Sequence, residues 1–355
     1  MLSFNRKFGL GAALRQRPIW AGSARSAPGL VTIQLNPYKP RRQTSPANLA
    51  AEGLSYNGTV YIGKVGGNCY TSPDLVTYTA RTPVSGNTFM GGVAVGTRLV
   101  ALTAYSGNYY LCSSADNGVT WGSVTGTGTP NPVLSVAGGI AFALSPGNNV
   151  LGYVTVSSAG VQTGRNFPVS SQWASVAANA AADKWIVINA AASGTPAALY
   201  SGDGANWTVS SSYATEAAKL NAFPAAIYSI GSRFVVVAFN GTSFSSIYSD
   251  DGGVTWLQGA SYGRLADGRS FTAVHRDAVV LDGHLYISAA AGGAAFILST
   301  PDGVTWRTHS DINATASLPG LYKRSGAESF VFNAGSEVAP VMETNVTAQE
   351  LYYEL

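Results

Sequence analysis

Short apolar segments separated by Gly, Asn or Ser turns recur along most of the chain. In one representative stretch such segments lie at residues 91–95, 98–105, 109–114 and 120–124, each bounded by turn-forming residues. The sustained 3.6-residue periodicity of stacked amphipathic helices is absent. Only 11% of the residues are charged, while 41 Gly supply breaks between segments. The pattern predicts an all-β protein built from antiparallel hairpins.

One link departs from this pattern. Residues 211–223 contain the run Ala-Thr-Glu-Ala-Ala-Lys-Leu, which predicts one or two helical turns with Thr215 as the capping residue. We expect this short helix to decorate the fold without changing its class.

A motif of Ser or Thr, then Asp, then usually Gly, then an aromatic residue repeats along the chain. The closing aromatics stand at positions 78, 121, 207, 256 and 306. The spacing between 121 and 207 is twice that between 78 and 121, so one further unit must lie between them. Residues 152–162 fill that gap as a degenerate unit, and a last unit follows position 306. A period of 40–50 residues with four strands indicates a propeller. We predict a seven-bladed β-propeller with four-stranded antiparallel blades over residues 46–355, preceded by an extended arm over residues 1–45.

The chemistry of the motif indicates a structural role. Asp accepts hydrogen bonds from backbone N–H groups two residues onward, Gly tolerates positive φ, and the aromatic ring can close beneath the turn. The residues assigned to these turns are Asp74, Asp116, Asp203, Asp251, Asp302, Trp121, Trp207, Trp256 and Trp306.

Five of the seven units resemble the Asp-box, or bacterial-neuraminidase, repeat, and the resemblance extends over residues 45–355. It implies a β-propeller but leaves the function open, because proteins with this repeat include sialidases, other glycosidases, sorting receptors, photosystem assembly factors and virion proteins. The sialidases depend on an arginine triad and an early Phe-Arg-Ile-Pro-like strand. That early motif is missing here, and the arginines are scattered.

No catalytic constellation emerges from the sequence, so we predict a protein that is not an enzyme and holds no cofactor. Five of the seven Glu lie in the last unit, where strand alternation favours solvated positions over a catalytic pair. The three histidines lack metal-ligand spacing, which predicts no metal site. Cys69 and Cys112 fall in successive repeats, and we interpret both as free thiols.

A candidate binding loop lies on the face expected to be opposite the Asp motifs. It brings basic, acidic and aromatic residues close in sequence, and two interpretations stay open, a solvated loop or a glycan or partner site. Its members are Tyr262, Arg264, Asp267, Arg269 and His275.

The N-terminal arm has a different charge from the rest of the chain. Residues 1–51 carry eight Lys and Arg and no acid, whereas the remainder carries 13 Lys and Arg against 18 Asp and Glu. A mitochondrial transit peptide is one alternative for this start, while no secretory signal or 18-residue apolar run is present. We expect the arm to lie along another surface. Its docking residues would be Arg6, Lys7, Arg15, Arg17, Trp20, Arg41 and Arg42.

A basic arm on a low-charge propeller resembles the components of bacteriophage particles. We therefore predict a virion protein of the tail, tail fibre or capsid surface, whose arm binds other virion proteins and whose propeller contacts a host-surface glycan or protein. Membrane insertion is not expected, and nucleic acid is an unlikely partner because only residues 39–42 cluster positive charge. One alternative is a scaffold or assembly factor, as a soluble cytoplasmic or organellar protein. A glycan hydrolase is another.

Overall fold

The fold is seen in a computed structural model that describes part of the chain. The described residues are 31–33, 40–42, 55–74, 77–127, 132–144, 152–189, 195–220, 223–265, 268–281, 283–309, 320–323, 329–333 and 340–343. Within these ranges the strands form seven sheets, which we number 1 to 7 along the chain.

The first four sheets each contain four consecutive antiparallel strands. Sheet 1 consists of β3 (Ser55–Tyr56), β4 (Tyr61–Val65), β5 (Asn68–Ser72) and β6 (Thr79–Arg81). Sheet 2 consists of β7 (Thr88–Val95), β8 (Arg98–Tyr105), β9 (Asn108–Ser114) and β10 (Gly122–Gly126). Sheet 3 consists of β11 (Val133–Ala137), β12 (Ile140–Leu144), β13 (Gly152–Ser157) and β14 (Gln162–Asn166). Sheet 4 consists of β15 (Trp173–Ala178), β16 (Trp185–Asn189), β17 (Ala198–Ser201) and β18 (Thr208–Val209).

Sheet 5 follows the same plan, and sheets 6 and 7 add strands from the N-terminal segment. Sheet 5 consists of β19 (Phe223–Ile230), β20 (Arg233–Phe239), β21 (Phe244–Ser249) and β22 (Leu257–Tyr262). Sheet 6 consists of β23 (Phe271–Leu281), β24 (His284–Ala291), β25 (Ala294–Thr300) and β26 (Arg307–His309), with β1 (Val31–Ile33) beside β26. Sheet 7 consists of β27 (Gly320–Lys323), β28 (Ser329–Asn333) and β29 (Pro340–Glu343), with β2 (Pro40–Arg42) beside β29. The all-β organisation in four-stranded antiparallel sheets is thereby confirmed.

The two N-terminal strands join their sheets in different orientations. Strand β1 runs parallel to β26, with Val31 opposite Arg307, whereas β2 runs antiparallel to β29. Both strands lie within the segment that the sequence assigned to the arm. The boundary at residue 45 stays a prediction, and residues 1–30 lie outside the described part of the chain.

The first strand of each sheet lies beside the first strand of the next, and β27 also lies near β3. Serine side chains connect several of these neighbours: Ser55 Oγ accepts the Ala94 N–H at 2.9 Å, and Ser175 Oγ accepts the Ile227 N–H at 3.2 Å. Sheets packed side by side around their first strands make a propeller-like arrangement.

The hydrophobic core lies between the sheets. Each of the five largest described clusters combines buried residues of two adjacent sheets, from the pair 1 and 2 to the pair 5 and 6. The middle strands supply near-continuous buried runs, such as Phe234 to Ala238 in β20. Both faces of a middle strand are therefore covered, which explains why alternation is weak in these segments.

The link between sheets 4 and 5 forms helix α1 (Tyr213–Ala218). The prediction of a helix here was right, but Thr215 lies inside it, and Ser212 occupies the cap position without a side-chain capping bond. Tyr213 is fully buried, with its ring 5.0 Å from that of Trp256. Burial of this aromatic residue fixes where the helix begins, which a capping pattern alone did not reveal.

A glycine substitution tests how closely adjacent sheets approach. Gly303 has φ +73°, and a Cβ there would lie 2.5 Å from Cγ2 of Val235 in the preceding sheet. We expect Gly303→Ala to lower the free energy of unfolding by about 2–4 kcal/mol, combining the left-handed backbone with overpacking. Gly283 has nearly the same φ, +72°, with no atom within 4 Å of the built Cβ. Gly283→Ala should therefore cost only about 1 kcal/mol in urea unfolding, and equal losses in the two variants would contradict close packing.

Candidate functional site

The repeated Ser/Thr-Asp-Gly-aromatic motif forms five turns that join the third and fourth strands of sheets 1, 2, 4, 5 and 6. We call residues 72–78, 114–121, 201–207, 249–256 and 300–306 the Asp turns. Each begins with a buried hydroxyl residue at the end of the third strand. In sheet 2, Ser114 Oγ donates to Asp116 Oδ1 at 2.7 Å and accepts the Gly118 N–H at 2.8 Å. The hydroxyl thus orients the carboxylate and closes the turn.

The carboxylates then accept hydrogen bonds from the far side of each turn. Asp116 and Asp251 each accept the backbone N–H and the hydroxyl of the Thr four residues onward. Asp203 and Asp302 each accept two successive backbone N–H groups. Asp74 accepts the Thr77 N–H at 2.7 Å. The structure therefore places all five predicted aspartates in turn-forming positions.

These bonds hold three of the carboxylates, those of Asp116, Asp203 and Asp251, in their charged form. The hydroxyl of Thr120, with support from its backbone N–H, lowers the pKa of Asp116 to about 2. The backbone N–H of Asn206 is the largest of several donors that lower the pKa of Asp203. Partial burial opposes this effect at Asp251, but the bonds from Thr255 and Ser249 outweigh it and lower the pKa. A depressed pKa is typical of a carboxylate bound by several donors, not of a general acid.

Three of the tryptophans that close the Asp turns connect their sheet to the preceding sheet. Trp256 Nε1 donates to Ser210 Oγ at 3.1 Å, and Ser210 Oγ in turn donates to the Gly253 carbonyl at 2.6 Å. Trp306 repeats this arrangement with Ser246 at 3.3 Å. Trp207 uses the hydroxyl of Tyr153 at 2.8 Å.

The partner hydroxyls Ser210, Ser246 and Tyr153 were missed by the sequence analysis. They lie 46, 60 and 54 residues before their tryptophans, so no fixed spacing marks them. The indoles of Trp256 and Trp306 also donate within their own turns, to the carbonyls of Gly253 and Gly303 at 3.2 and 3.1 Å. Trp121 makes the same bond within its turn, to the Gly118 carbonyl at 3.0 Å.

Sheet 3 has no Asp at the corresponding turn, residues 157–161, and an arginine of the preceding sheet binds the carbonyls of this turn. Arg98 donates to the carbonyls of Ser158 and Ala159 at 3.2 and 3.3 Å. Arg233 reaches across in the same way between sheets 5 and 6, donating to the Asp302 carbonyl at 2.9 Å while pairing with Asp250 at 2.6 Å. Arg98 and Arg233 thus hydrogen-bond adjacent sheets to each other and do not form an anion-binding triad.

The candidate binding loop divides between core and surface. Tyr262 lies in β22 and packs against the core between sheets 5 and 6, where burial raises its pKa. Asp267 lies outside the described residues, and His275 lies at a bulge in β23 with an undescribed side chain.

The two arginines of this loop are placed on one short turn. Arg264 is exposed and forms an isolated bridge with Ser270. Arg269 lies along Gly292, with its Nη1 3.5 Å from the Ala291 carbonyl. The loop therefore presents Arg264 to solvent, while Arg269 rests on the next hairpin.

A cavity of about 580 Å³ opens among the first strands of sheets 1 to 6. The described lining consists of Gly, Ala, Ser, Val, Leu and Ile residues together with Tyr228, and among these described residues there is no Asp, Glu, His, Lys or Arg. Three of its serines, Ser55, Ser175 and Ser229, are already hydrogen-bonded to the backbone of neighbouring strands.

Other chemistry-bearing residues are inert or undescribed. Cys69 and Cys112 are buried free thiols, as predicted, and burial raises the pKa of each to about 12. In the described ranges no three His, Cys, Asp or Glu side chains group together as metal ligands. No described helix has the length and apolar character to cross a membrane.

Of the predicted docking residues of the arm, Arg41 and Arg42 lie in β2. The remaining arm residues, Arg6, Lys7, Arg15, Arg17 and Trp20, lie outside the described part of the chain.

Acid titration tests the Asp turns. Because the pKa of Asp116 is about 2 in the folded chain and about 3.9 when unfolded, its stabilising effect is complete above pH 4 and is lost as the pH falls toward 2. We expect Asp116→Asn to lower the melting temperature at pH 7 and to have almost no effect at pH 2, as measured by circular dichroism. An unchanged difference across this range would show that the charge does not stabilise the turn.

Replacement of the indole tests the link between sheets. Trp256→Phe keeps an aromatic ring beside Tyr213 but removes the N–H that reaches Ser210, so we expect a loss of about 1–2 kcal/mol in chemical denaturation. Trp256→Ala should cost about 3–5 kcal/mol. Trp121→Phe is the control, since the bond it removes, to the Gly118 carbonyl, lies within one turn like the bond from Trp256 to Gly253. It should therefore cost less than Trp256→Phe, which also removes the bond to Ser210.

Several solved structures share this fold at low sequence identity. The GH74 enzyme of Niastella koreensis matches with a TM-score of 0.55 and 14% identity, over 86% of this chain and 44% of that one. Virginiamycin B lyase from Staphylococcus aureus matches with 0.57 and 11%, over 86% and 98%. PorZ of Porphyromonas gingivalis, described as a surface component of the type-IX secretion system, matches with 0.53 and 12%, over 87% and 39%.

The chain thus spans less than half of two of these proteins, and such likeness establishes the fold alone. No curated protein sequence matches the chain. A family model does match, that of the DUF6242 beta propeller domain, over residues 29–337. Since this range covers most of the sequence, the protein belongs to the DUF6242 beta propeller domain family.

Proposed function

We propose that this protein is a non-catalytic structural or adhesion component of a bacteriophage particle. In this role residues 1–45 anchor the chain to other virion proteins, and the propeller projects for contact with a host-surface glycan or protein. The observation that carries the non-catalytic part is the cavity among the first strands, where Tyr228 is the one ionisable side chain among the described lining residues. Hydrolysis of a glycan needs two carboxylates in such a place.

The architecture we infer for this role is a closed ring of seven blades, with the Asp turns as Asp-box repeats. Proximity of β27 to β3 supports closure, because it brings the last sheet back to the first. Strand β2 supports it further, since the N-terminal segment supplies the outer strand of sheet 7. A ring closed in this way hides most sheet edges and resists opening.

The hydrogen bonds that connect adjacent sheets at the Asp turns support a structural or display role for the propeller. Hydroxyl, carbonyl and indole groups connect sheets 3 to 6 in succession, as at Ser210 and Ser246. A scaffold with rigid sheets can hold an exposed loop, such as the one carrying Arg264, in a fixed direction. The basic, acid-free arm supports anchoring, because it can meet acidic surfaces of an assembly.

A scaffold or assembly factor that binds a protein partner is the second candidate. It is favoured by Tyr105, which is 59% exposed at the tip of the hairpin between β8 and β9, at the opposite end of sheet 2 from its Asp turn. Exposed Tyr is enriched in protein interfaces. The fold likeness to PorZ is compatible with this role, but it also includes enzymes such as the GH74 protein.

Removal of the arm tests the anchoring role. Deletion of residues 1–30 leaves strands β1 and β2 in the chain, so we expect the melting temperature to stay within a few degrees. The truncated chain should no longer co-sediment with phage particles produced in its presence. A full-length variant with Gln at Arg6, Lys7, Arg15 and Arg17 separates charge from length and should lose most of the co-sedimentation. Undiminished incorporation of both variants would overturn the anchoring proposal.

A further inference from the structure

The end of the molecule that carries the Asp turns has a second repeated feature, which the fold does not require. The residue after the turn glycine is Val in sheets 2, 3, 5 and 6, at Val119, Val161, Val254 and Val304. The first three are 63%, 62% and 45% exposed. An isolated exposed Val is ordinary, but the same apolar side chain at the same point of four turns makes a patterned surface.

These turns share one end of the molecule. Each joins the third and fourth strands of an antiparallel sheet, so adjacent sheets present their turns on the same side. A contact between sheets 1 and 2 supports this placement, because Asn57, next to the first strand of sheet 1, donates to Asn117 in the Asp turn of sheet 2 at 2.9 Å. We call this end, defined by the Asp turns and residues 158–161, the Asp-turn face.

Charge surrounds the exposed valines. The carboxylates of Asp116, Asp203 and Asp251 are bound by hydroxyl, amide and backbone donors, so they keep a full negative charge at the surface. The cations Arg98 and Arg233 of this end are engaged with neighbouring carbonyls and, for Arg233, with Asp250. The face therefore combines spaced apolar side chains with exposed acids. Arg81 lies beside Gly118 and the exposed Lys184 beside Gly252, so cations are also present at its edge.

The path of the chain leads to this face. Strand β1 is parallel to β26, and Val31 is opposite Arg307, the residue that directly follows the Asp turn of sheet 6. Residues 1–30 therefore enter the fold at the Asp-turn face. They carry five Lys and Arg, no acid, and apolar residues such as Phe4, Phe8 and Leu10 between the cations. The positive charge and the apolar residues of this segment complement the carboxylates and the exposed valines of the face.

We propose that residues 1–30 lie across the Asp-turn face of their own propeller, with apolar residues on the exposed valines and cations beside the carboxylates. Attachment at β1 raises the local concentration of the segment at this face, so weak contacts are sufficient to keep it bound. The proposal does not require a virion role. With or without a virion role, residues 1–30 then cover the Asp-turn face. The opposite face, which carries Arg264 and Tyr105, stays accessible to a partner.

Photocrosslinking of the full-length protein tests this arrangement. A benzoylphenylalanine residue replaces Phe8, the protein is irradiated at low concentration, and adducts are mapped by mass spectrometry. We expect adducts within one chain on the turns of sheets 2, 3 and 5. Adducts between two chains would assign the face to a second copy, and adducts elsewhere or none would also overturn the proposal.

Paired variants make the test specific. Val119→Ser with Val254→Ser should lower the adduct yield at least about fivefold, because apolar contact is lost at two positions. Val124→Ser with Val209→Ser is the matched control, since these side chains are 54% and 48% exposed on the outer strands β10 and β18. Surface changes of this kind leave folding intact, which melting curves verify. An equal loss in both pairs would remove the Asp-turn face as the binding surface.

Discussion

The packing of sheets 3 to 6 against one another is held by hydrogen-bonded links at the Asp turns. A hydroxyl of one sheet donates to the turn glycine carbonyl of the next and accepts the indole N–H of the tryptophan that closes that turn, as Ser210 does with Gly253 and Trp256. A buried hydroxyl, carbonyl and indole satisfy one another here, which avoids the cost of leaving polar groups unpaired. Because the link spans two sheets, loss of one member loosens both.

The local chemistry of the repeat was predictable from sequence, whereas its long-range partners were not. Asp116 and Asp251 sit where the motif placed them, because a carboxylate bonding to residues a few positions onward is a local interaction. Ser246 and Tyr153 could not be recognised, since their roles depend on how far one sheet stands from the next. The degenerate unit of sheet 3 was located by spacing alone. The contact of Arg98 with the carbonyls of this unit was visible only in the folded chain.

The same distinction applies to the candidate binding loop. Proximity in sequence suggested that Tyr262, Arg264 and Arg269 act together. Strand alternation instead turns Tyr262 toward the core, and the loop backbone sends Arg269 onto the next hairpin. Function is harder to infer than fold for a related reason: a propeller places its loops at two ends, and side-chain chemistry at those ends varies independently of the sheets.

The two cysteines give this molecule an internal reporter. Cys69 and Cys112 lie in one cluster between sheets 1 and 2 and are 1% and 0% exposed, and burial raises the pKa of both thiols to about 12. A thiolate reacts with an alkylating reagent only when it is ionised and accessible, so the folded chain is protected on both counts. The rate of labelling therefore measures how often sheets 1 and 2 separate, without any engineered probe.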